Sequence, residues 1–418
     1  MVTRRAVRPA VVAVLAMACP VALSACSTSV PAPSATLTQE ASTGTAKPSE
    51  PRTVTPSTTA SATTRPTPSS SATGSTAALT VKNEAACLVK EPAELKAHVE
   101  SGWQPPIEGG QFQALTVAGE TVYGFGGANG DVYAVDVRNK TVAKLATTSA
   151  DASPAWMIAS PKHLVWLTYD SAADPTTWSL YAADRSGANR KRIAGSPADH
   201  REGEGRATQP AMVGERVAWT QAVGTRTDLS AVQVMDLDTG RTSTLAQGNL
   251  FPPVAMGASF VYGELTKGQW SLHAADAATL RPVALPRDLP VKGGIGHLAA
   301  TPERLLWGSA DYTTLSVWEP SKRTVVRYRL PAGDEHAFQF LQPTGNHVAW
   351  FASWPYSILD LRSGALYDVG KDVSVASADG RVAVSWEKKL SAGNSGQRAP
   401  AKVSIIAEAD LPPAPTCR

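Results

Sequence analysis

The sequence has almost no net charge. Its 39 basic and 36 acidic residues leave a formal charge of +3. Three arginines close to the start of the chain, Arg4, Arg5 and Arg8, equal that excess. A protein that binds nucleic acid through its overall field needs a strongly basic surface. The composition therefore argues against a nucleic-acid partner.

The motifs that mark many enzymes and metal sites are also missing. The sequence contains no G-x-S-x-G, H-E-x-x-H or C-x-x-C motif, no EF-hand loop and no Gly-rich phosphate loop. The histidines are scattered, although His163 and His347 share one position of the repeat described below. We therefore expect no catalytic residues, no metal and no cofactor.

Residues 1–25 have the pattern of an export signal. Arginines precede an apolar run, Ala10–Leu23, that is too short at 14 residues to span a bilayer as a helix. The run ends in Leu23-Ser24-Ala25-Cys26, which resembles the L-[AS]-[AG]-C lipobox of bacterial lipoproteins. The resemblance implies lipid on Cys26 and a place on the extracytoplasmic side of the cell membrane. The alternatives are an ordinary signal peptide cut near Ala25 and an uncut anchor.

Residues 26–78 are rich in Ser, Thr, Pro and Ala and have very few large apolar side chains. Such a segment buries too little surface to offset its ordering entropy, so we expect a disordered stalk. It is a spacer, and its composition also suits a glycosylated stalk. Residues 79–110 form a connector, with a short helix near Glu91–Val99 and a strand near residues 78–82 that closes the last repeat.

Residues 111–418 contain seven copies of one pattern. Each copy has a tight turn and then an apolar strand that ends, in six copies, in an aromatic residue. Successive steps between these strand ends are 43, 53, 43, 45, 43 and 34 residues. The strand ends are Tyr123, Trp166, Trp219, Tyr262, Trp307, Trp350 and, in the seventh copy, Val384.

In most copies another strand, the third of the repeat, ends in an acid that precedes a turn. These acids are Asp136, Asp184, Asp236, Asp276, Glu319 and Asp360. Four short strands per repeat of about 40–45 residues is the pattern of a β-propeller. We predict an all-β, seven-bladed β-propeller, with six or eight blades as alternatives. The aromatic residues are then core residues, and the acids cap the turns.

The units resemble the TolB-type propeller repeat. The best match is Leu180–Ile193, a strand, a D-x-x-G turn and a second strand. The TolB family has a separate α/β domain and six blades, which this chain lacks, so the resemblance implies the fold and not the Tol–Pal role.

Two cysteines, Cys87 and Cys417, flank the repeats. An exported chain meets oxidising conditions, and a propeller brings its ends together, so we predict a disulfide between them. The alternative is two free thiols.

The longer loops all join second to third strands or connect blades, and these loops share one face of a propeller. Functional residues collect in loops on rigid scaffolds. The candidate ligand-binding residues in or near these loops are Tyr169, Asp170, Asp174, His200, Arg201, Glu202, Glu204, Arg206, Tyr312, Trp354 and Tyr356.

We expect a monomeric binding or scaffold protein whose partner is a protein or a cell-wall polymer. A propeller enzyme of the lyase, lactonase or glycosidase type, with its site at the mouth of the central channel, is the alternative. A quinoprotein is disfavoured because its Trp-rich repeat phrase is not evident.

Overall fold

Seven small sheets of mainly antiparallel strands follow one another along the chain in the computed structural model. The structure describes residues 78–417 except 128–129, 150, 172–176, 197–208, 225–228, 292, 332–338, 352–355, 370–372, 387–399 and 414–416. The predicted signal, Cys26 and residues 27–77 of the predicted stalk lie outside the described residues. Among those described, no helix has the length and hydropathy to span a membrane.

The elements before the first blade are β1 (Thr80–Ala85), β2 (Cys87–Leu88) and α1 (Ala93–Glu100). Blades 1 to 3 consist of β3 (Phe112–Ala118), β4 (Thr121–Gly126), β5 (Asp131–Asp136) and β6 (Thr141–Ala146); β7 (Ser153–Ala159), β8 (His163–Tyr169), β9 (Trp178–Asp184) and β10 (Lys191–Gly195); and β11 (Ala211–Val213), β12 (Arg216–Ala222), β13 (Ser230–Asp236) and β14 (Thr242–Gly248).

Blades 4 and 5 consist of β15 (Val254–Met256), β16 (Ser259–Thr266), β17 (Gln269–Asp276) and β18 (Pro282–Val283); and β19 (His297–Thr301), β20 (Arg304–Gly308), β21 (Thr314–Glu319) and β22 (Thr324–Arg329). Blades 6 and 7 consist of β23 (Gln339–Thr344), β24 (His347–Phe351), β25 (Tyr356–Asp360) and β26 (Ala365–Asp368); and β27 (Val373–Ala378), β28 (Arg381–Trp386) and β29 (Lys402–Ala407). Short 3₁₀ turns lie at Pro320–Lys322 and Glu408–Asp410.

The first strand of each blade contacts the first strands of the two neighbouring blades. The contacts run in order from β3 through β7, β11, β15, β19, β23 and β27 and return from β27 to β3. These seven strands therefore line one closed ring around a central channel. The fold is a seven-bladed β-propeller, as the sequence predicts, and not one of six or eight blades.

A hydrophobic cluster fills each interface between neighbouring blades. The aromatic residues that end the repeated strand belong to these clusters. Tyr123, Trp166, Trp219, Trp307 and Trp350 are at most 2 % exposed, and Tyr262 is half-buried. Their prediction as core residues is confirmed for these five.

Four of the six acids that end the third strands cap the following turns. Asp136, Asp236, Asp276 and Asp360 each accept a backbone N–H bond from two or three residues further on, at 2.7–2.9 Å. The hydrogen bonds from Thr239 lower the pKa of Asp236, because they favour its charged form. The capping role predicted for these acids is confirmed.

The connector does not complete blade 7. A strand does form near residues 78–82, but its predicted pairing with blade 7 is wrong. β1 instead pairs in parallel with β22 of blade 5, and β2 pairs in parallel with β26 of blade 6. On its outer edge, the third strand of blade 7, β29, forms backbone hydrogen bonds with only one residue of the connector. Trp103 and Val403 exchange two backbone hydrogen bonds, of 2.9 and 2.7 Å.

Helix α1 covers the remaining edge of blade 7. Its Leu95 and Val99 are buried against a cluster that includes Ile406 of β29. Gly102 allows the close approach, because a Cβ there would lie 3.0 Å from the carbonyl oxygen of Val403. A helix and one bridging residue thus replace the expected strand, and the short helix lies close to where the sequence predicts it.

Cys87 and Cys417 form a disulfide, with Cα atoms 5.7 Å apart. Cys87 also donates its backbone N–H to the carbonyl of Gly364 at 3.0 Å. The bond therefore fastens the end of the chain to the outer edge of blade 6.

Candidate functional site

The propeller has two different faces. The turns between first and second and between third and fourth strands form the tight-turn face. The loops between second and third strands and those between blades form the long-loop face. The described chain begins at the tight-turn side, where Thr80 donates its N–H to the carbonyl of Arg323 at 3.0 Å.

Tyr169 and Asp170 lie where β8 ends at the long-loop face. Tyr169 packs in the cluster between blades 2 and 3, and burial raises the pKa of its phenol. The exposed Asp170 starts a loop, which is closed by a hydrogen bond from its N–H to the carbonyl of Thr177 at 2.9 Å. Tyr169 is therefore mainly a packing residue.

Tyr312 projects from the loop between β20 and β21 and is 37 % exposed. Asp311 fixes this loop by accepting hydrogen bonds from the Ser309 and Thr313 hydroxyls at 2.5 and 2.9 Å. The ring of Tyr312 lies 6.1 Å from that of His297, the first residue of β19. Burial lowers the pKa of His297 to about 4, which keeps its imidazole neutral near pH 7.

Tyr356 is only 9 % exposed, although the sequence analysis assigns it to the ligand face. Its ring packs on Phe351 with centroids 5.2 Å apart. Burial raises the pKa of its phenol to about 12, and a hydrogen bond with the Gln113 side chain partly offsets this effect. Tyr356 is therefore an interior residue that joins blade 6 to blade 1.

The three tyrosines belong to three different blades and contact different residues, so the structure does not bring them together in one site. The remaining candidates lie outside the described residues: Asp174, His200, Arg201, Glu202, Glu204, Arg206 and Trp354.

An aromatic pair that the sequence analysis does not identify crosses the central channel. Trp156 comes from the innermost strand of blade 2 and Phe340 from that of blade 6, and their ring centroids are 5.6 Å apart. Phe340 is 40 % exposed and has a left-handed φ of 55° within an irregular stretch of β23. The indole N–H of Trp156 is buried without a hydrogen-bond partner among the described residues.

The two rings share a position with His297. Each of these three residues lies seven residues before the first residue of the second strand of its blade. Those first residues are His163, Arg304 and His347. We define Trp156, His297 and Phe340 as the channel layer.

A positive φ is unusual for an aromatic residue, and backbone strain of this kind collects at functional sites. Phe340 combines this backbone with a ring that is 40 % exposed. The channel layer therefore offers an exposed aromatic ring to a ligand. No signal in one sequence marks it, because Trp156 and Phe340 come from copies four repeats apart.

Solved structures with similar β-sheet architecture include enzymes. A prolyl endopeptidase is 12 % identical over 76 % of this chain and 49 % of its own, with a TM-score of 0.47. The chain thus spans about half the length of that protein. An oligogalacturonate lyase from Vibrio parahaemolyticus is 10 % identical over 74 % of this chain and 92 % of its own, with a TM-score of 0.46.

The β-propeller domain of the Trilobed protease from Pyrococcus furiosus is 11 % identical over 66 % of this chain and 91 % of its own, with a TM-score of 0.43. No protein-family model matches the chain, and no curated protein matches it by sequence. The fold assignment rests on the strand pairing described above.

Proposed function

We propose that the protein is a membrane-anchored, extracytoplasmic β-propeller that binds a protein or cell-envelope ligand at the channel mouth of its long-loop face. The Trp156–Phe340 pair carries this proposal. It places an exposed aromatic ring with a strained backbone against a second ring from the opposite side of the channel. Aromatic residues held on a rigid scaffold are typical anchors of binding sites.

The Leu23-Ser24-Ala25-Cys26 sequence, which resembles a lipobox, supports the anchor. Two acyl chains on Cys26 would hold the protein stably, because one chain gives only marginal binding.

Crosslinking in intact cells, followed by identification of the captured partners, tests the binding proposal. The Phe340→Ala and Trp156→Ala variants should each capture much less of the partner than the wild-type protein does. Val283→Ala is the matched control, because Val283 is 41 % exposed on the outer strand of blade 4. Equal capture by wild type and both channel variants would contradict the proposal.

Fractionation of cells that carry Cys26→Ala tests the anchor. The variant should appear in the medium or the soluble extracytoplasmic fraction, since it has no lipid attachment site. Its continued retention in membranes would rule out anchoring through Cys26.

His297 and Tyr312 favour an enzyme of the lyase, lactonase or glycosidase type as a second candidate. A neutral imidazole next to a phenol at the inner end of a blade can accept or donate a proton. Turnover of a sugar or lactone substrate that is lost in His297→Gln and kept in His273→Gln would support this candidate. Without such turnover, the binding function stands alone.

The repeat phrase of blade 2 supports a relationship with TolB-type propellers. Strand β9 ends with Leu180–Asp184, and β10 begins with Lys191–Ile193. The turn between them is closed by a hydrogen bond from the Gly187 N–H to the Asp184 carbonyl. This arrangement matches the strand, turn and strand that the resemblance implies.

A further inference from the structure

A cluster of side chains that can bind a metal lies between blades 2 and 3 on the tight-turn face. The channel mouth described above lies on the other face. His163 begins β8, Glu215 lies in the turn before β12, and Asp238 lies in the turn after β13. Their ligand atoms all lie within 4.8 Å of one another. We propose that these three residues bind a divalent transition-metal ion of the zinc class.

The same repeat position has a structural role in other blades. Arg304 pairs with Glu319 at 2.7 Å and with the Asn346 side chain of the next blade at 2.9 Å. His347 hydrogen-bonds through Nδ1 to Glu408 at 2.9 Å. The first residue of the second strand thus fastens its own blade to the next one.

His163 occupies the same position and also faces the next blade, but its hydrogen bonding differs. Its Nε2 lies 3.0 Å from Glu215 Oε2, and both atoms are buried, yet neither has a properly oriented hydrogen bond among the described residues. The same Nε2 lies 3.5 Å from Asp238 Oδ1. One imidazole nitrogen therefore faces two carboxylates that it does not satisfy.

These separations suit a shared ion. Zinc binds nitrogen and oxygen ligands at about 2.0–2.2 Å in tetrahedral geometry, which places neighbouring ligand atoms about 3.4 Å apart. The observed 3.0 and 3.5 Å lie close to that spacing. Three protein ligands would leave the fourth position for water or another ligand.

The other nitrogen of His163 faces a further carboxylate. Nδ1 lies 3.9 Å from Asp184 Oδ1, and Asn189 holds the other oxygen of Asp184 at 2.7 Å. A carboxylate behind a metal-bound histidine orients the ring and raises its basicity. A modest rotation of the ring would complete this arrangement.

Lys162 competes for the same carboxylates. Its Nζ lies 3.5 Å from Glu215 and 3.7 Å from Asp238, and its side chain is 62 % exposed. An exposed ammonium can swing into water, so we assign it as the counter-ion when no metal is bound. The imidazole with two carboxylates favours Zn²⁺ and related ions over Mg²⁺ and Ca²⁺, which prefer oxygen ligands alone.

Zinc titration of the tag-free full chain by calorimetry at neutral pH tests the proposal, with thermal melts as a second measurement. Wild-type protein should bind one zinc ion, and zinc should raise its melting temperature. His163→Ala and the nearly isosteric Glu215→Gln should each weaken binding about tenfold or more. Melts without zinc show whether each variant is folded.

Two further variants separate a metal site from an ordinary ion-pair cluster. Lys162→Gln should bind zinc more tightly, because it removes the competing cation. His273→Ala should bind like wild type, because His273 and Glu264 form a pair 3.1 Å apart outside this cluster. Absence of zinc binding in wild type, or wild-type affinity in folded Glu215→Gln, would overturn the proposal. Neither result bears on ligand binding at the channel mouth.

Discussion

Trp156, His297 and Phe340 occupy one position of the repeat in three blades, and they differ in chemistry because the position faces the channel. Residues that face a neighbouring blade must fill a shared core, as Trp166 and Trp307 do. At the channel, Phe340 is 40 % exposed, whereas Trp156 also packs partly against the cluster between blades 2 and 3. The repeat therefore constrains the residue types in the cores between blades, whereas the residue types in the channel layer differ from blade to blade.

His297 gives a prediction at the residue scale. Its pKa is about 4 in the folded chain, where burial disfavours the charged ring, against about 6.5 when unfolded. The unfolded chain therefore binds the extra proton first as the pH falls, and stability is lost between pH 6.5 and 4. His297→Asn should reduce that loss by up to about 3 kcal/mol, measured as the free energy of urea unfolding across this range. An unchanged pH profile would contradict the burial of His297 as a neutral ring.

The roles of residues that recur at one position of the repeat could be predicted from the sequence. Contacts between residues of distant blades could not. The core role of Trp219 and the capping role of Asp276 follow from local spacing. The contact between Trp156 and Phe340 depends on two strands that are far apart in the chain. Tyr356 packs in the cluster between blades 6 and 7, and its position beside a loop in the sequence does not show this.

The edges of the sheets are the elements where sequence and structure differ most. β1 is exposed at every residue, so its pairing with β22 depends on backbone hydrogen bonds and shows no alternating apolar pattern. Blade 7 ends instead under α1 and Trp103. Outer strands with little buried surface carry few sequence signals, and this explains the wrong placement of the closing strand.

β1 should therefore be the least protected strand of blade 5. Its backbone bonds can open without uncovering a core, whereas β21 buries Leu315 and Val317. Amides of residues 80–85 should exchange with solvent at least about tenfold faster than those of β21 in native-state hydrogen exchange. Equal protection of the two strands would mean that β1 is an integral part of the blade.

Among the described residues, the propeller is held by seven similar interfaces and one disulfide. The disulfide joins residues 330 apart in the sequence and fastens the chain end beside blade 6. A loop of this length restricts the unfolded chain strongly. The ring and the disulfide therefore stabilise the same closed state.

Cys417→Ser should lower the free energy of unfolding by about 2–5 kcal/mol under oxidising conditions. Cys87→Ser should have a similar effect, and the double variant should lose little more, because either change removes the same bond. Urea denaturation of the three variants measures this. Additive losses, or none, would show that the two sulfurs are not paired in solution.

The most direct test of the binding account is site-specific photocrosslinking in living cells. A photoreactive residue that replaces Tyr312, on the long-loop face, should capture a defined partner. The same residue at Ala278, which is exposed on the tight-turn face, should capture little. Capture at Ala278 alone, or equal capture at both positions, would contradict the assignment of the long-loop face as the binding surface.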